Sequence, residues 1–218
     1  MAQERGGRYD ISDLIESQYQ PGSRGRVLRN LLGIKSKREM DLAEAEALKR
    51  ATDALVESYD VGHRFTANDV CQMHTIWLGG IYPWAGHYQQ VNLMKDDLPF
   101  AATAQIPQLM QTFEEGPLLR HTPCDFQTLD RVIEALAEVH VEFILIHPFR
   151  EGNGRMGRIL STLMALQANL PLLDFRPIQG RKKGDYFAAV RAGLDRNYKP
   201  MEEIFRLVLN RTSSGALI

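Results

Sequence analysis

The chain of 218 residues has only two cysteines, Cys71 and Cys124, far apart and in no metal-ligand spacing. That argues against a disulfide framework and fits a reducing compartment. Charge of one sign is lacking too: 26 Lys and Arg stand against 27 Asp and Glu, a formal net charge of −1. No global field therefore draws the chain to nucleic acid or to an anionic membrane. Long apolar runs are missing. The longest, near Phe143 to Ile146, is far too short to span a bilayer, and the start MAQERGGRYD has no apolar signal-peptide core. The expected location is the cytoplasm. His63, His74, His87 and His121 have no ligand-like spacing, which speaks against structural zinc. No internal repeat and no second domain is visible. What is there is an ordinary 44% of hydrophobic residues, enough for one good-sized core.

Residues 1–26 are polar and end in Pro21-Gly22-Ser23-Arg24-Gly25, a loop signature, and read as an arm on a domain of residues 27–210 with a tail at 211–218. From Glu39 to Tyr59 the positions Leu42, Ala45, Leu48, Leu55 and Tyr59 recur near helical period, with Glu44 and Glu46 on an ordinary charged face. Thr66-Ala67-Asn68-Asp69 resembles a capping box for a helix carrying Val70, Met73, His74, Trp77 and Leu78, stopped at Gly79-Gly80. Alternation from Tyr88 to Met94 and a turn at Asp96-Asp97 predict a short β-hairpin. Ile106, Leu109, Met110 and Phe113 mark a helix ending at Gly116-Pro117. Thr122-Pro123 offers an N-cap followed by Pro at the first helical position. The stripe Leu129, Val132, Ile133, Leu136, Val139, Phe143, Ile146 predicts a helix about 28 Å long over residues 128–146. A second apolar helix follows, opening near Arg155 and stopped by Asn169-Leu170-Pro171, then two short ones near Asp185–Leu194 and Met201–Leu209. The expected fold class is all-α with one small hairpin.

The segment joining the two apolar helices, His147-Pro148-Phe149-Arg150-Glu151-Gly152-Asn153-Gly154-Arg155-Met156-Gly157-Arg158, carries the chemistry. Glycines let backbone reach positive φ and let a ligand approach closely. The turn Gly152-Asn153-Gly154 opens a helix whose first amides lack intrahelical acceptors and whose dipole is positive there, a ready anion site to which Asn153 can add a side-chain donor. Arg155 and Arg158, three apart, share one helix face, and guanidinium groups suit phosphate oxygens. Glu151 beside phosphates is a typical Mg²⁺ arrangement, since that ion keeps several waters and needs few protein ligands. His147, with an ordinary pKa of about 6.5, is a competent base for an attacking hydroxyl. Phe149 points into the core and pins the loop. For any single residue a packing or solvated role competes. Jointly that reading fails, because eight specified positions would match by chance on the order of 10⁻⁸.

These residues resemble the Fic family, whose signature is H-x-F-x-[D/E]-G-N-G-R-x-x-R. Tyr82-Pro83-Trp84-Ala85-Gly86 and the hairpin Lys95, Asp96, Asp97, Leu98, Pro99, Phe100 look like that family's target-docking flap, and the segment around Tyr186 like its nucleotide-side helix. The resemblance covers roughly residues 27–210. It implies a bundle of about six to eight helices with a β-hairpin flap, and transfer of AMP from ATP to a Tyr, Ser or Thr hydroxyl of a target protein, with pyrophosphate leaving. His147 is then the base, Glu151 holds Mg²⁺, Gly152, Asn153 and Gly154 cradle the α-phosphate, and Arg155 and Arg158 hold the β- and γ-phosphates. The flap clamps the target by strand addition. Doc-type kinases of the same fold depart from the G-N-G-R core, so the intact core favours nucleotidyl transfer. Two departures stand out: Gln89 where the family often has Arg, and Gly193 where an adenine-reading Asn would stand.

Many Fic proteins carry an inhibitory [S/T]-x-x-x-[E/D]-[G/N] whose Glu pairs with the last signature arginine. Here Glu115-Gly116 and Glu151-Gly152 follow Gln111 and His147, neither Ser nor Thr, so the motif is absent. Arg158 is then unpaired in cis, and either a separate small antitoxin-like protein supplies the Glu or the enzyme is constitutively active; Asp13 or Glu16 of the arm is the competing in-cis candidate. His140 reads as a packing residue. Trp77 and Trp84 read as core and flap-base anchors, Tyr186 as an adenine-pocket or core residue, and Lys182-Lys183 as a solvated run beside the nucleotide. Three functional classes follow: a protein adenylyltransferase, a same-fold transferase of another nucleotide or of phosphocholine, and a binding module that keeps the loop as scaffold.

Overall fold

Helix α5, Leu129–Ile146, is the axis around which the other elements pack in this computed structural model, which describes residues 14–95, 98–178 and 183–215. Thr128 caps it by accepting from the Arg131 amide. Of its predicted stripe, Val132, Ile133, Leu136, Val139, Phe143 and Ile146 are buried, whereas Leu129, in the uncovered first turn, is 52% exposed. α6, Asn153–Gln167, packs on one side and α8, Lys199–Gly215, on another. A fully buried large side chain such as Phe143 on this axis, or Phe149 in the loop after it, stabilises the fold by about 2 kcal/mol through area removed from water.

A second layer pairs α1, Lys37–Ser58, with α2, Ala67–Leu78, and α2 also touches α6. The capping box on α2 is formed: Asp69 N–H donates to the Thr66 hydroxyl, and the Asp69 carboxylate accepts from the Thr66 backbone. α3, Ile106–Phe113, runs on through a wide turn, Glu114–Leu118, into a last turn α4, Leu119–His121. α7, Lys183–Ala192, lies between α6 and α8 in sequence and packs on α8 and α5. The result is all-α, with seven helices of eight residues or more among the described residues and one two-stranded ribbon, β1 Met94–Lys95 against β2 Leu98–Pro99. No helix of the described residues is long and apolar enough to cross a membrane.

Several expectations are corrected. α1 does not bury Leu42 and Ala45; Leu42 is 64% exposed, and the inward face is Met40, Glu44, Ala47, Ala51 and Leu55. Small alanines let α1 lie close to α2, and a hydrophobicity pattern cannot credit the buried Glu44. The α3 segment does not stop at Gly116-Pro117, because burial of Pro117 and Leu118 holds a wide turn that tolerates the missing proline N–H. Thr122 caps no helix. Its hydroxyl donates to the Leu118 carbonyl and accepts from the Phe65 amide. Tyr88–Leu93 is not a strand, since the Gln89 amide goes to the Pro148 carbonyl and the Gln90 amide to the Glu16 carboxylate. α8 reaches Gly215 and takes in part of the expected tail, where the Thr212 hydroxyl donates to Val208 and accepts from the Asp174 amide. The turn residues Asp96 and Asp97 lie outside the described residues, as do Asp13 and Lys182.

Candidate active site

α5 ends at His147, whose φ of 55° turns the chain out of the helix while its N–H still reaches the Phe143 carbonyl at 3.0 Å. The Ile144 carbonyl accepts from Nδ1 at 3.2 Å, so Nδ1 carries a proton and the lone pair of the neutral ring belongs to Nε2. Phe100 of the flap stacks on the imidazole at 3.6 Å between ring centres. Two residues on, Phe149 is fully buried, its ring stacked on His74 at 3.9 Å. The loop is pinned where the sequence predicts.

Gly152 makes the second turn. Its φ of +86° suits glycine, and a Cβ there would stand 2.6 Å from the Trp77 ring. The Arg155 and Met156 amides both donate to the Gly152 carbonyl at 2.9 Å, closing the first turn of α6. The Asn153 and Gly154 amides come first on the helix, where no intrahelical acceptor exists, and a Cβ on Gly154 would meet nothing within 4 Å. One expectation fails here. The Asn153 side-chain amide is committed to the loop rather than to a ligand: Nδ2 donates to the Phe149 carbonyl at 2.6 Å and Oδ1 accepts from the Phe149 N–H at 3.0 Å. Asn153, 2% exposed, ties the loop into a closed ring and leaves anion contact to the backbone.

A cavity of about 840 Å³ opens over this turn, within the range of small-molecule sites. Its polar wall is His147, Glu151, Gly152, Asn153, Gly154, Arg155 and Arg158; Ile178, Tyr186, Phe187 and Val190 form an apolar wall, and Lys183 and Phe100 also line it. Of the flap residues singled out in the sequence, Lys95, Leu98 and Pro99 form the ribbon, and Phe100 closes it through its amide to the Leu93 carbonyl at 3.1 Å. Arg158 is half-buried, its guanidinium pushed below its ordinary pKa by desolvation and by Arg155, and no carboxylate of the described residues forms an ion pair with it. Such a cation on a cavity wall favours an anionic ligand. Glu16 offers it nothing, since its carboxylate accepts from Gln90 and its carbonyl from Arg150.

Arg155 is held differently. Its Nη2 lies 2.8 Å from the buried Glu44 carboxylate and 3.4 Å from Glu151, and its guanidinium rides 4.5 Å over the Trp77 ring. Glu44, expected on an ordinary charged face, is 2% exposed and also accepts from the Tyr82 hydroxyl at 2.6 Å; burial first, and then this bond, raise that phenol's pKa. Burial of a carboxylate is tolerated because both oxygens are paired.

His74 and Gln89 complete the support. The Gly86 N–H donates to His74 Nδ1 at 2.8 Å, so Nε2–H donates to the Glu151 carbonyl at 3.1 Å and the ring is neutral. Desolvation first, with Arg155 adding to it, pushes its pKa down to about 4. Gln89 Nε2 donates to the His147 carbonyl at 2.8 Å, which gives this position a different task from an ion pair at the flap base. His140 is a packing residue: the Ser161 hydroxyl donates to Gly157, accepts from His140 Nδ1, and leaves Nε2 to accept from the Tyr186 hydroxyl at 2.9 Å. Tyr186 is thus both buried and on the cavity wall. A side chain at Gly193 would run into Val141, its Cβ only 2.1 Å from Cγ1.

Among the described residues no group of three His, Cys, Asp or Glu could hold a metal by itself. Glu151, its side chain 45% exposed on the cavity wall, fits an ion that takes most of its ligands from water and phosphate.

Residues 64–165 match the model of the Fic/DOC family. The chain is 32% identical over 156 residues to the probable protein adenylyltransferase Fic of Salmonella typhimurium, covering 67% of this chain and 71% of that protein. It is 31% identical over 151 residues to the protein adenylyltransferase VbhT of Bartonella schoenbuchensis, covering 65% of this chain and only 29% of that protein's length. Among solved structures, the BepC effector protein of Bartonella tribocorum with bound AMPPNP has a TM-score of 0.71 at 21% identity, over 90% of this chain and 97% of that one.

Proposed function

Since the chain belongs to the Fic/DOC family, we propose that it is a protein adenylyltransferase, moving AMP from ATP to a Tyr, Ser or Thr hydroxyl of a target protein. One observation carries this reading: a base with its lone pair on Nε2 and the open N-terminus of α6 with Arg158 face the same cavity. The target hydroxyl gives its proton to His147 Nε2 as its oxygen attacks the α-phosphorus. The new P–O bond forms as the bond to the bridging oxygen breaks, and pyrophosphate carries the pair away. The Asn153 and Gly154 amides face the charge that grows on the α-phosphate oxygens. Arg158, with Arg155 beside it, takes the β- and γ-phosphates, and the apolar wall with Tyr186 takes the base. Mg²⁺, when bound, would neutralise phosphate charge, and Glu151 is the residue to hold it. The flap from Lys95 to Phe100 would lie along the target backbone.

Control in this reading falls to a partner, or the enzyme is constitutively active. The sequence lacks the inhibitory motif, and a small protein presenting a carboxylate to Arg158 would block the γ-phosphate. The two cysteines, both free thiols, fit a reducing cytoplasm.

A second reading, transfer from another nucleotide, draws on the lack of room for a base-reading side chain at Gly193. The test uses ATP labelled at the α-phosphate, purified protein and cell lysate, with His147→Ala alongside and unlabelled UTP, GTP and CTP as competitors. Label that depends on His147 and resists competition supports AMP transfer. Label abolished by another nucleotide moves the donor, and label independent of His147 removes the mechanism.

A further inference from the structure

Glu44 sits under the cavity, delivered there by α1, with its side chain 3% exposed. The Tyr82 hydroxyl fixes Oε1 at 2.6 Å, and the Trp77 indole N–H fixes its backbone carbonyl at 3.0 Å. Its Oε2 holds Arg155 Nη2 at 2.8 Å. The same guanidinium nitrogen has a second carboxylate within reach, Glu151 at 3.4 Å. Two acids therefore compete for one cation. The Glu44 pair prevails because it is shorter, and because an ion pair gains more in a buried setting than at the half-exposed Glu151.

We propose that Glu44 is a positioning residue: by taking the shorter pair with Arg155 it holds that guanidinium to a long, 3.4 Å contact with Glu151 and so leaves the Glu151 carboxylate open to a divalent cation. It acts through Arg155 and touches no substrate. The proposal rests on the reading that Glu151 takes the metal. Glu44→Gln keeps the shape and can still accept from Tyr82, but it offers Arg155 no charge. The guanidinium, part-buried over Trp77, then closes its 3.4 Å contact with Glu151 into a tight pair. A cation must displace it before binding.

The readout is metal coupling: the ratio of ATP dissociation constants without and with Mg²⁺, measured by calorimetry on the full chain. It is measured for the unaltered protein, Glu44→Gln, Glu44→Asp, Glu151→Gln and the Glu44→Gln/Glu151→Gln pair. Glu44→Gln is expected to lower the coupling about ten-fold, the scale of losing an outer-sphere partner of a metal ligand. Glu44→Asp restores most of it. In the Glu151→Gln background Glu44→Gln has no further effect, whereas a merely structural Glu44 would lower it again. Coupling lost in Glu151→Gln but intact in Glu44→Gln overturns this proposal alone. Coupling intact in Glu151→Gln overturns the metal reading and the proposal with it. Should Glu44→Gln fail to melt cooperatively, Tyr82→Phe decides. It loosens the Glu44 carboxylate without removing its charge, and is expected to lower the coupling about two-fold; unchanged coupling there overturns the proposal.

Discussion

The loop from His147 to Arg158 and the layer beneath it are built on opposite terms. The loop is one stretch of chain, glycine-rich and open to the cavity, with its chemistry in consecutive residues. The layer beneath it, Glu44, His74, Trp77, Tyr82 and Gln89, comes from α1, α2 and the segment after α2, and is buried: His74 and Gln89 hydrogen-bond the loop's backbone, while Trp77 and Tyr82 fix Glu44, which holds Arg155. Groups that meet a ligand must be exposed; groups that hold them in place need not be. The difference teaches that reactivity and placement are separate properties here, supplied by separate parts of the chain.

The sharpest way to separate them is to remove the base and leave its support. His147→Ala should lower the rate of transfer roughly 10²–10⁴-fold while melting within a degree or two of the unaltered protein, read from a rate assay and a thermal melt. A large fall in melting temperature would show that the two regions are one unit after all.

Next in size is the contact between them. Gly152→Ala places a Cβ against Trp77 at a φ of +86°, and should cost about 2 kcal/mol in a urea titration. An unchanged midpoint would break the picture of a tightly seated turn.

The buried histidine supplies a test by pH. His74 has a folded pKa of about 4, below the value of about 6.5 for an exposed ring. As pH falls the unfolded chain takes up the proton first. The contribution of His74 is thus fully present above about pH 6.5 and is lost on the way down to 4. Between pH 7 and pH 5 it should cost about 2 kcal/mol, and His140, also near 4, a similar amount. His74→Gln should flatten the first share of that slope; a variant as steep as the parent contradicts the neutral ring.

The smallest effect on stability belongs to Gly154→Ala, whose Cβ faces open space. A melt indistinguishable from the parent is expected, with ATP binding weakened several-fold, since the methyl stands where a phosphate would lie. Equal loss of stability in Gly152→Ala and Gly154→Ala would erase the contrast.

The same contrast explains what was legible. His147, Glu151, the glycines and both arginines lie in one window at spacings set by chemistry, so they could be read directly, and α5 announced itself through a long apolar stripe. Glu44 was invisible because its partner Arg155 lies over a hundred residues away, and because a glutamate on a helix reads as solvated until that partner is placed. The sequence points the Asn153 side chain at a ligand, whereas its amide closes the loop on Phe149, a bond between residues four apart that composition cannot announce. Thr122 looked like a cap, yet tertiary contacts with Phe65 and Leu118 use its hydroxyl first.

The most direct test of the central claim is the intact mass of a target protein isolated after incubation with the enzyme and ATP. AMP transfer predicts a gain of one adenosine monophosphate unit on a hydroxyl residue, absent with His147→Ala. A gain of phosphate alone, or the same gain with His147→Ala, would contradict it.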